Sequence, residues 1–218
     1  MVNTVADNSN NTVVIINTIG SRLLDQWIEH DNVTAVLYGS ILGQESGNAI
    51  VDILYGDVNP SGRLIHTIAK NESDYNVGLC YTAQCNFTEG VYIDYRYFDA
   101  KNLTPRYPFG HGLSYTSFKT KAPNGNCTVG GTSGPWDVVG TVSARITNNG
   151  THTGVGGFPA VPWVPQCSGS ASCVARDISY WDVTAQEWLV APGTYQVHVG
   201  ASSRDLRLDG TFALRVKS

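Results

Sequence analysis

YPFGHGLSYTSF, residues 107–118, gathers four aromatic residues and two glycines around one histidine and two serines. A catalytic reading would pair His111 with Ser114 as base and nucleophile. That pairing needs a third orienting group and a sharp G-x-S-x-G elbow, and GLSYT is not one. A structural joint needs only what is present. Pro108 stiffens the entry, and Gly110 and Gly112 permit positive φ or close backbone approach. Tyr107, Phe109, Tyr115 and Phe118 bring large apolar surfaces to bury between two layers. The stretch therefore reads as the junction of two differently patterned halves.

Upstream of it, TVVIINTIG (residues 12–20) is a short apolar run rich in β-branched residues, the pattern of a strand buried on both faces. SRLLDQWIEH (residues 21–30) places Leu23, Leu24, Trp27 and Ile28 on one face of an expected helix with Ser21 as its N-cap. TAVLYGS (residues 34–40) is a second strand. QESGNAIVDILYG (residues 44–56) is a second helix, with Ala49, Ile50, Ile53 and Leu54 on one face and Gly56 just past its end. Strand, helix, strand, helix at this spacing implies a parallel sheet flanked by helices.

Downstream, residues 141–151, 178–183, 194–203 and 211–216 alternate apolar and polar side chains, with NNG, APG and LDG as turn signals. This is the pattern of an antiparallel sandwich. Residues 119–135, rich in Gly, Asn and Thr, read as a linker. The fold class expected is α/β plus all-β, a partial parallel-sheet αβα sandwich over residues 1–118 followed by a truncated fibronectin III-like β-sandwich over residues 136–218. No internal repeat is evident.

At 218 residues and 42% hydrophobic content the chain has enough apolar surface for a core. A net charge of −4 gives no electrostatic reason to expect nucleic acid or an anionic membrane as partner. No apolar run reaches the length of a membrane span. The polar start, MVNTVADNSNN, has no signal-peptide pattern. Secretion is nevertheless expected, because N-x-S/T sequons occur at Asn10, Asn32, Asn71, Asn86, Asn102, Asn126 and Asn149. The cysteines point the same way. Cys80 and Cys85 are spaced to close a small loop, and Cys167 and Cys173 to close another, which leaves Cys127 unpaired.

Three blocks carry a family resemblance: ILGQESGNAIVDILYGDVNPSGRL, TEGVYIDYRYFDAKNLTPRYPFGHGLSYTSF and RDISYWDVTAQEWLVAPGTYQVHVGASSRDLRL. In that order they resemble the C-terminal region of the fungal family 3 glycoside hydrolases, the secreted β-glucosidases. The resemblance implies the later part of the α/β sandwich domain and the fibronectin III-like domain that follow a catalytic barrel. It also implies that the nucleophile Asp, on the barrel, and the acid/base Glu both precede the matching region. No catalytic residue is therefore expected here, and the substrate-binding residues stay unknown. Residues 152–175, with little strand patterning, suggest a sandwich short of strands. A gene-model fragment, a deliberately shortened chain and a natural short protein all fit.

Other chemistry is weakly signalled. Glu45, Asp52, Glu89 and Asp94 are the carboxylates weighed within the best-matching blocks. Glu45 is explained as a first-turn acid of a helix, and Asp94, beside Tyr92, Tyr95 and Arg96, as a satisfied ion pair. The histidines at 30, 66, 111, 152 and 198 have no ligand spacing, so no metal is expected. Neither GxGxxG nor a P-loop occurs, and no cofactor is expected. Trp27, Trp136, Trp163, Trp181 and Trp188 are candidates for sugar stacking, although Trp181 and Trp188 sit in strand-like surroundings and are expected in the core. Three functions stay open: part of a β-glucosidase with its barrel supplied elsewhere, a non-catalytic carbohydrate- or protein-binding module, and a repurposed small enzyme. The partners expected are a β-glucoside or glucan ligand and either a second copy of the chain or the missing barrel domain.

Overall fold

Val13, Val14, Ile15 and Ile16 lie in strand β1 (Thr12–Asn17), which pairs in parallel with β2 (Val33–Gly39). The computed structural model describes residues 1–121, 128–129, 136–154, 160–161 and 170–214. It divides into two units, Met1–Val58 with Arg63–His111, and Asn59–Gly62 with Gly112–Ser218.

In the first unit, α1 (Val2–Ala6) precedes β1, and α2 (Ser46–Tyr55) follows β2 and ends at Gly56 in the left-handed conformation, φ 85°. A 3-10 turn at Glu72–Asp74 and α3 (Tyr95–Ala100) complete its helices. Its buried centre is Ala6, Leu24, Thr67, Ile68, Ala69 and Phe98, with the Tyr75 ring edge-on to Phe98 at 5.8 Å.

Two expectations fail in this unit. Residues 21–30 form hydrogen-bonded turns instead of a helix. One helical bond closes, from Ile28 N to Leu24 O, but two positions on, the ladder is diverted: Gln26 O receives the Asn3 amide, and His30 N turns from it to Trp27 O. Ser21 caps nothing there, since its hydroxyl bonds to Tyr75 and to Thr67 O. Instead Arg106 fastens the turn, donating to Asp25 and Glu29. Tertiary hydrogen bonds outweigh the modest preference of a single turn for helix, whose nucleation is unfavourable. The strands, too, are not buried on both faces. Val14, Val36, Ile16 and Tyr38 share a half-buried face, whereas Val13 and Ile15 on the other face are exposed.

The second unit is antiparallel throughout. Its strands are β3 (Phe118–Lys121), β4 (Thr128–Val129), β5 (Val138–Ser143), β6 (Arg145–Asn148), β7 (Ala160–Val161), β8 (Ser170–Val174), β9 (Ser179–Asp182), β10 (Glu187–Val190), β11 (Gly193–Ser202) and β12 (Asp205–Leu214). They pair as β12-β11-β7, β4-β5-β8, β3-β6 and β10-β9. Ala175, Phe212 and Leu214 form the core with Ile178, Val190, Tyr195 and Val197, and Tyr195 stacks on Phe212 at 5.2 Å. Parts of the stretch read as a linker are strands, β3 and β4. So is Ser170–Val174, where little strand pattern was expected: small Ser and Ala residues leave no alternation to see, and pairing with β5 supplies the order.

LDG, at residues 208–210, is not a turn but lies within β12. The chain reverses earlier, at Ser203–Arg204, where the Ser202 hydroxyl accepts from Arg204 N and Asp205 N. Asp209 is then held across the ladder by His198, 2.6 Å away. At Gly200 the register shifts, and a Cβ would stand 2.1 Å from Asp205 O, so only glycine fits.

Candidate functional site

Parallel strands direct their carboxyl ends to one edge of a sheet, and ligand sites in α/β folds collect there. The loops leaving β1 and β2 follow this rule. Asn17, Thr18, Ile19 and Arg22 line one side of an open cleft of about 410 Å³, and Ser40, Ile41, Leu42, Gly43 and Ser46 line the other. Hydroxyl, amide and guanidinium groups face this space, with a rim of Ile19 and Ile41, 85% and 68% exposed. Arg22 is steadied by its Nε donating to Thr18 Oγ1 at 3.1 Å. Beneath, the Tyr38 hydroxyl donates to Gly20 O, and burial pushes the phenol pKa up. The His66 ring stands edge-on to Tyr38 at 5.4 Å, its pKa pushed down by burial. None of these residues was singled out as a site from sequence, although two consecutive parallel strands point to the loops after them.

Residues 107–118, read from sequence as a joint, are held by backbone bonds and rings. Ile68 and Tyr107 exchange hydrogen bonds, Leu64 N donates to His111 O, and Gly110 N to Leu64 O, with Gly110 at φ 82°. Phe109 lies against Tyr95 at 4.9 Å and His111 against Tyr107 at 4.8 Å. Burial, and then the positive charge of Arg63, lower the His111 pKa. Tyr115, expected to be buried, is 46% exposed. The Ser114 hydroxyl is committed elsewhere, donating to Asn59 Oδ1 at 2.8 Å. Asn59 also accepts from Tyr115 N and donates to Thr153 O, so DVNPSG supplies a three-bonded peg.

The carboxylates have structural work. Asp94, at φ 46°, is not explained by an ion pair: its oxygens accept from Thr67 N, Thr67 Oγ1 and Tyr95 N, which caps α3. Glu45 stands at the N-cap position of α2 instead of in its first turn and accepts from Asn48 Nδ2 at 2.6 Å. The histidines are dispersed. His30 pairs with Asp7 at 3.0 Å, His198 with Asp209, and His152 with Thr151 at 3.3 Å. Among the described residues no cluster of three His, Cys, Asp or Glu converges on a point.

Cys80 and Cys85 are joined in a disulfide with Cα atoms 6.4 Å apart. Cys127 and Cys167 lie outside the described residues, as do Asn126 and Trp163, and Cys173 is on β8. Asn10, Asn71, Asn86, Asn102 and Asn149 are exposed, whereas Asn32 is half-buried and donates its amide to Ala6 O at 2.9 Å. Trp181 and Trp188, expected in the core, are instead 45% and 52% exposed, paired across the β9–β10 hairpin. Trp27 is half-buried and Trp136 exposed.

Comparison with known proteins agrees with this architecture. Residues 1–115 match the glycosyl hydrolase family 3 C-terminal domain, and residues 170–203 the fibronectin type III-like domain. Probable β-glucosidase D of Aspergillus flavus is 66% identical over 252 aligned positions covering 100% of this chain and 34% of that protein. Probable β-glucosidase L of Neosartorya fischeri is 40% identical, over 99% of this chain and 34% of that protein. The crystal structure of β-D-glucoside glucohydrolase from Trichoderma reesei superposes with a TM-score of 0.80 at 34% identity, covering 97% of this chain and 35% of that one. That of the β-glucosidase from Chaetomella raphigera gives 0.81 at 36%, covering 97% and 34%. The chain thus spans about a third of the length of the relatives it matches. Its first half and its antiparallel second half both have their counterparts in those enzymes, and the chain belongs to the glycosyl hydrolase family 3 C-terminal domain family.

Proposed function

We propose that this chain is the C-terminal part of a secreted β-glucosidase, an enzyme that removes terminal β-linked glucose, and that it does not hydrolyse β-glucosides without a barrel. The observation that carries this reading is the match to fungal β-glucosidases over 100% of the chain but only 34% of their length. Glycosidic cleavage needs a nucleophile and a proton donor on either side of the anomeric carbon. Here the Asp94 carboxylate caps α3, the Glu45 carboxylate accepts from the Asn48 amide, and no carboxyl stands among the cleft residues. A lone carboxylate offers general acid assistance of roughly 10² to 10⁴, far below what a glycosidase supplies.

The barrel is the partner proposed, and the exposed apolar residues of α2 and of the β2–α2 loop are the surface proposed to receive it. Val51, Leu54, Tyr55, Ile41 and Leu42 are all exposed, and large exposed apolar side chains are disfavoured by water. Self-association through the same surface is the competing use. Secretion is supported by five exposed sequon asparagines and the Cys80–Cys85 disulfide.

The test is release of nitrophenol from its β-D-glucoside. The purified chain alone is expected to be silent. Adding the portion of Aspergillus flavus β-glucosidase D that precedes the matched region is expected to restore turnover. Hydrolysis by the chain alone at about one per second, within the ordinary enzyme range, would refute the reading. Light scattering shows at the same time whether the silent chain is a monomer or self-associates.

A further inference from the structure

We propose that Trp181 and Trp188 form a stacking site for a neutral, curved β-1,3-linked glucan. The two residues are directly opposed in the β9–β10 ladder, so both indoles project from one face of the hairpin. Their centroids are 5.7 Å apart at 71°, and they are 45% and 52% exposed. Neither indole N–H has a hydrogen-bond partner among the described residues, and an indole donor usually finds one when it is buried in protein. The pair thus offers two negative ring faces and two free donors. A pyranose matches both: its axial C–H groups are weakly positive and lie flat on a ring, while its hydroxyls accept from N–H.

Charge narrows the ligand. Residues 177–190 hold Asp177, Asp182 and Glu187 and no lysine or arginine, which disfavours polyanions such as nucleic acid or polyuronate. Angle narrows it further. A flat β-1,4 ribbon can lie on coplanar rings, but rings at 71° cannot both stack on one flat face. A chain that curves, as a β-1,3 glucan does, presents successive sugars at an angle and can meet one ring and then the other.

The test is native affinity electrophoresis of the full chain in gels containing laminarin or hydroxyethyl cellulose, with no turnover measured. Laminarin is expected to retard the wild-type chain at least tenfold more effectively than hydroxyethyl cellulose. Trp181→Ala and Trp188→Ala should each lose that retardation, Trp188→Phe should keep part of it, and Trp136→Ala should keep it fully. Circular dichroism of each variant excludes unfolding as the cause. No retardation by laminarin, equal retardation by cellulose, or unchanged retardation in both alanine variants would overturn the proposal. So would a dimer that dissociates on Trp188→Ala, because the pair would then be a protein contact.

Discussion

Replacing Asn59 by alanine removes a side chain that makes three hydrogen bonds within the second unit. Its Oδ1 accepts from Ser114 Oγ at 2.8 Å and Tyr115 N at 3.0 Å, and its Nδ2 donates to Thr153 O at 2.9 Å. Each intramolecular hydrogen bond contributes about 0.5 to 1.5 kcal/mol net. Asn59 is only half-buried, so water replaces part of what is lost. A loss of about 2 kcal/mol follows, taking the lower half of that range for each bond and adding the cost of a carbonyl and an amide left poorly solvated. For a unit of this size roughly 4 °C is expected per kcal/mol, which places the melting shift near 8 °C. Asn59→Asp keeps the two acceptor bonds and loses the donor to Thr153, so about half the effect should remain. Differential scanning calorimetry of the wild type and both variants is the assay. If Asn59→Ala melts within about 1 °C of the wild type, the peg contributes nothing and the reasoning fails.

Burial lowers the pKa of His66 and His111 below the ordinary 6.5. Below pH 6.5 the unfolded chain therefore takes up protons that the folded chain refuses, and stability should fall with pH until the folded-state values are passed. Urea melts at pH 7.5 and 5.5 should show this, and His66→Phe with His111→Phe should flatten the slope. Arg106→Met frees the turn at residues 25–29 and leaves the Asp25 carboxylate, 25% exposed, without its partner. A loss of about 2 kcal/mol is expected, and Arg106→Lys should recover little of it because one ammonium cannot reach both Asp25 and Glu29. In a glycosylating host, peptide mapping should find glycan at Asn86 and Asn102 but not at Asn32, whose amide is already donated to Ala6 O. Non-reducing mass mapping should recover Cys80 linked to Cys85, and a Cys80 to Cys127 bridge would contradict that pairing.

Much of the fold was legible in the sequence because its signals are local. Periodicity marked β1, β2 and α2, and Gly56 marked the end of α2, since apolar spacing and left-handed backbone act within a few residues. The 3.6-residue spacing of Leu24, Trp27 and Ile28 was just as clear, yet produced only turns. There the deciding groups are distant along the chain: Asn3 takes the Gln26 carbonyl, Tyr75 and Thr67 take the Ser21 hydroxyl that would cap, and Arg106 holds the Asp25 side chain. The same holds for Asp94, whose partners Thr67 and Tyr95 replace the expected ion pair, and for Ser170–Val174, whose order comes from β5. Burial of the tryptophans was beyond local reading as well. Alternation tells which residues share a face of a strand, but whether that face meets another layer depends on what the rest of the molecule places there. Trp181 and Trp188 share a face, and the tertiary structure leaves it open. Sequence alone thus determined the two kinds of layer and the family's motifs. Tertiary structure decided which faces are covered, where the cleft at the sheet edge opens and what Asn59 holds, because those depend on contacts between residues far apart in the chain.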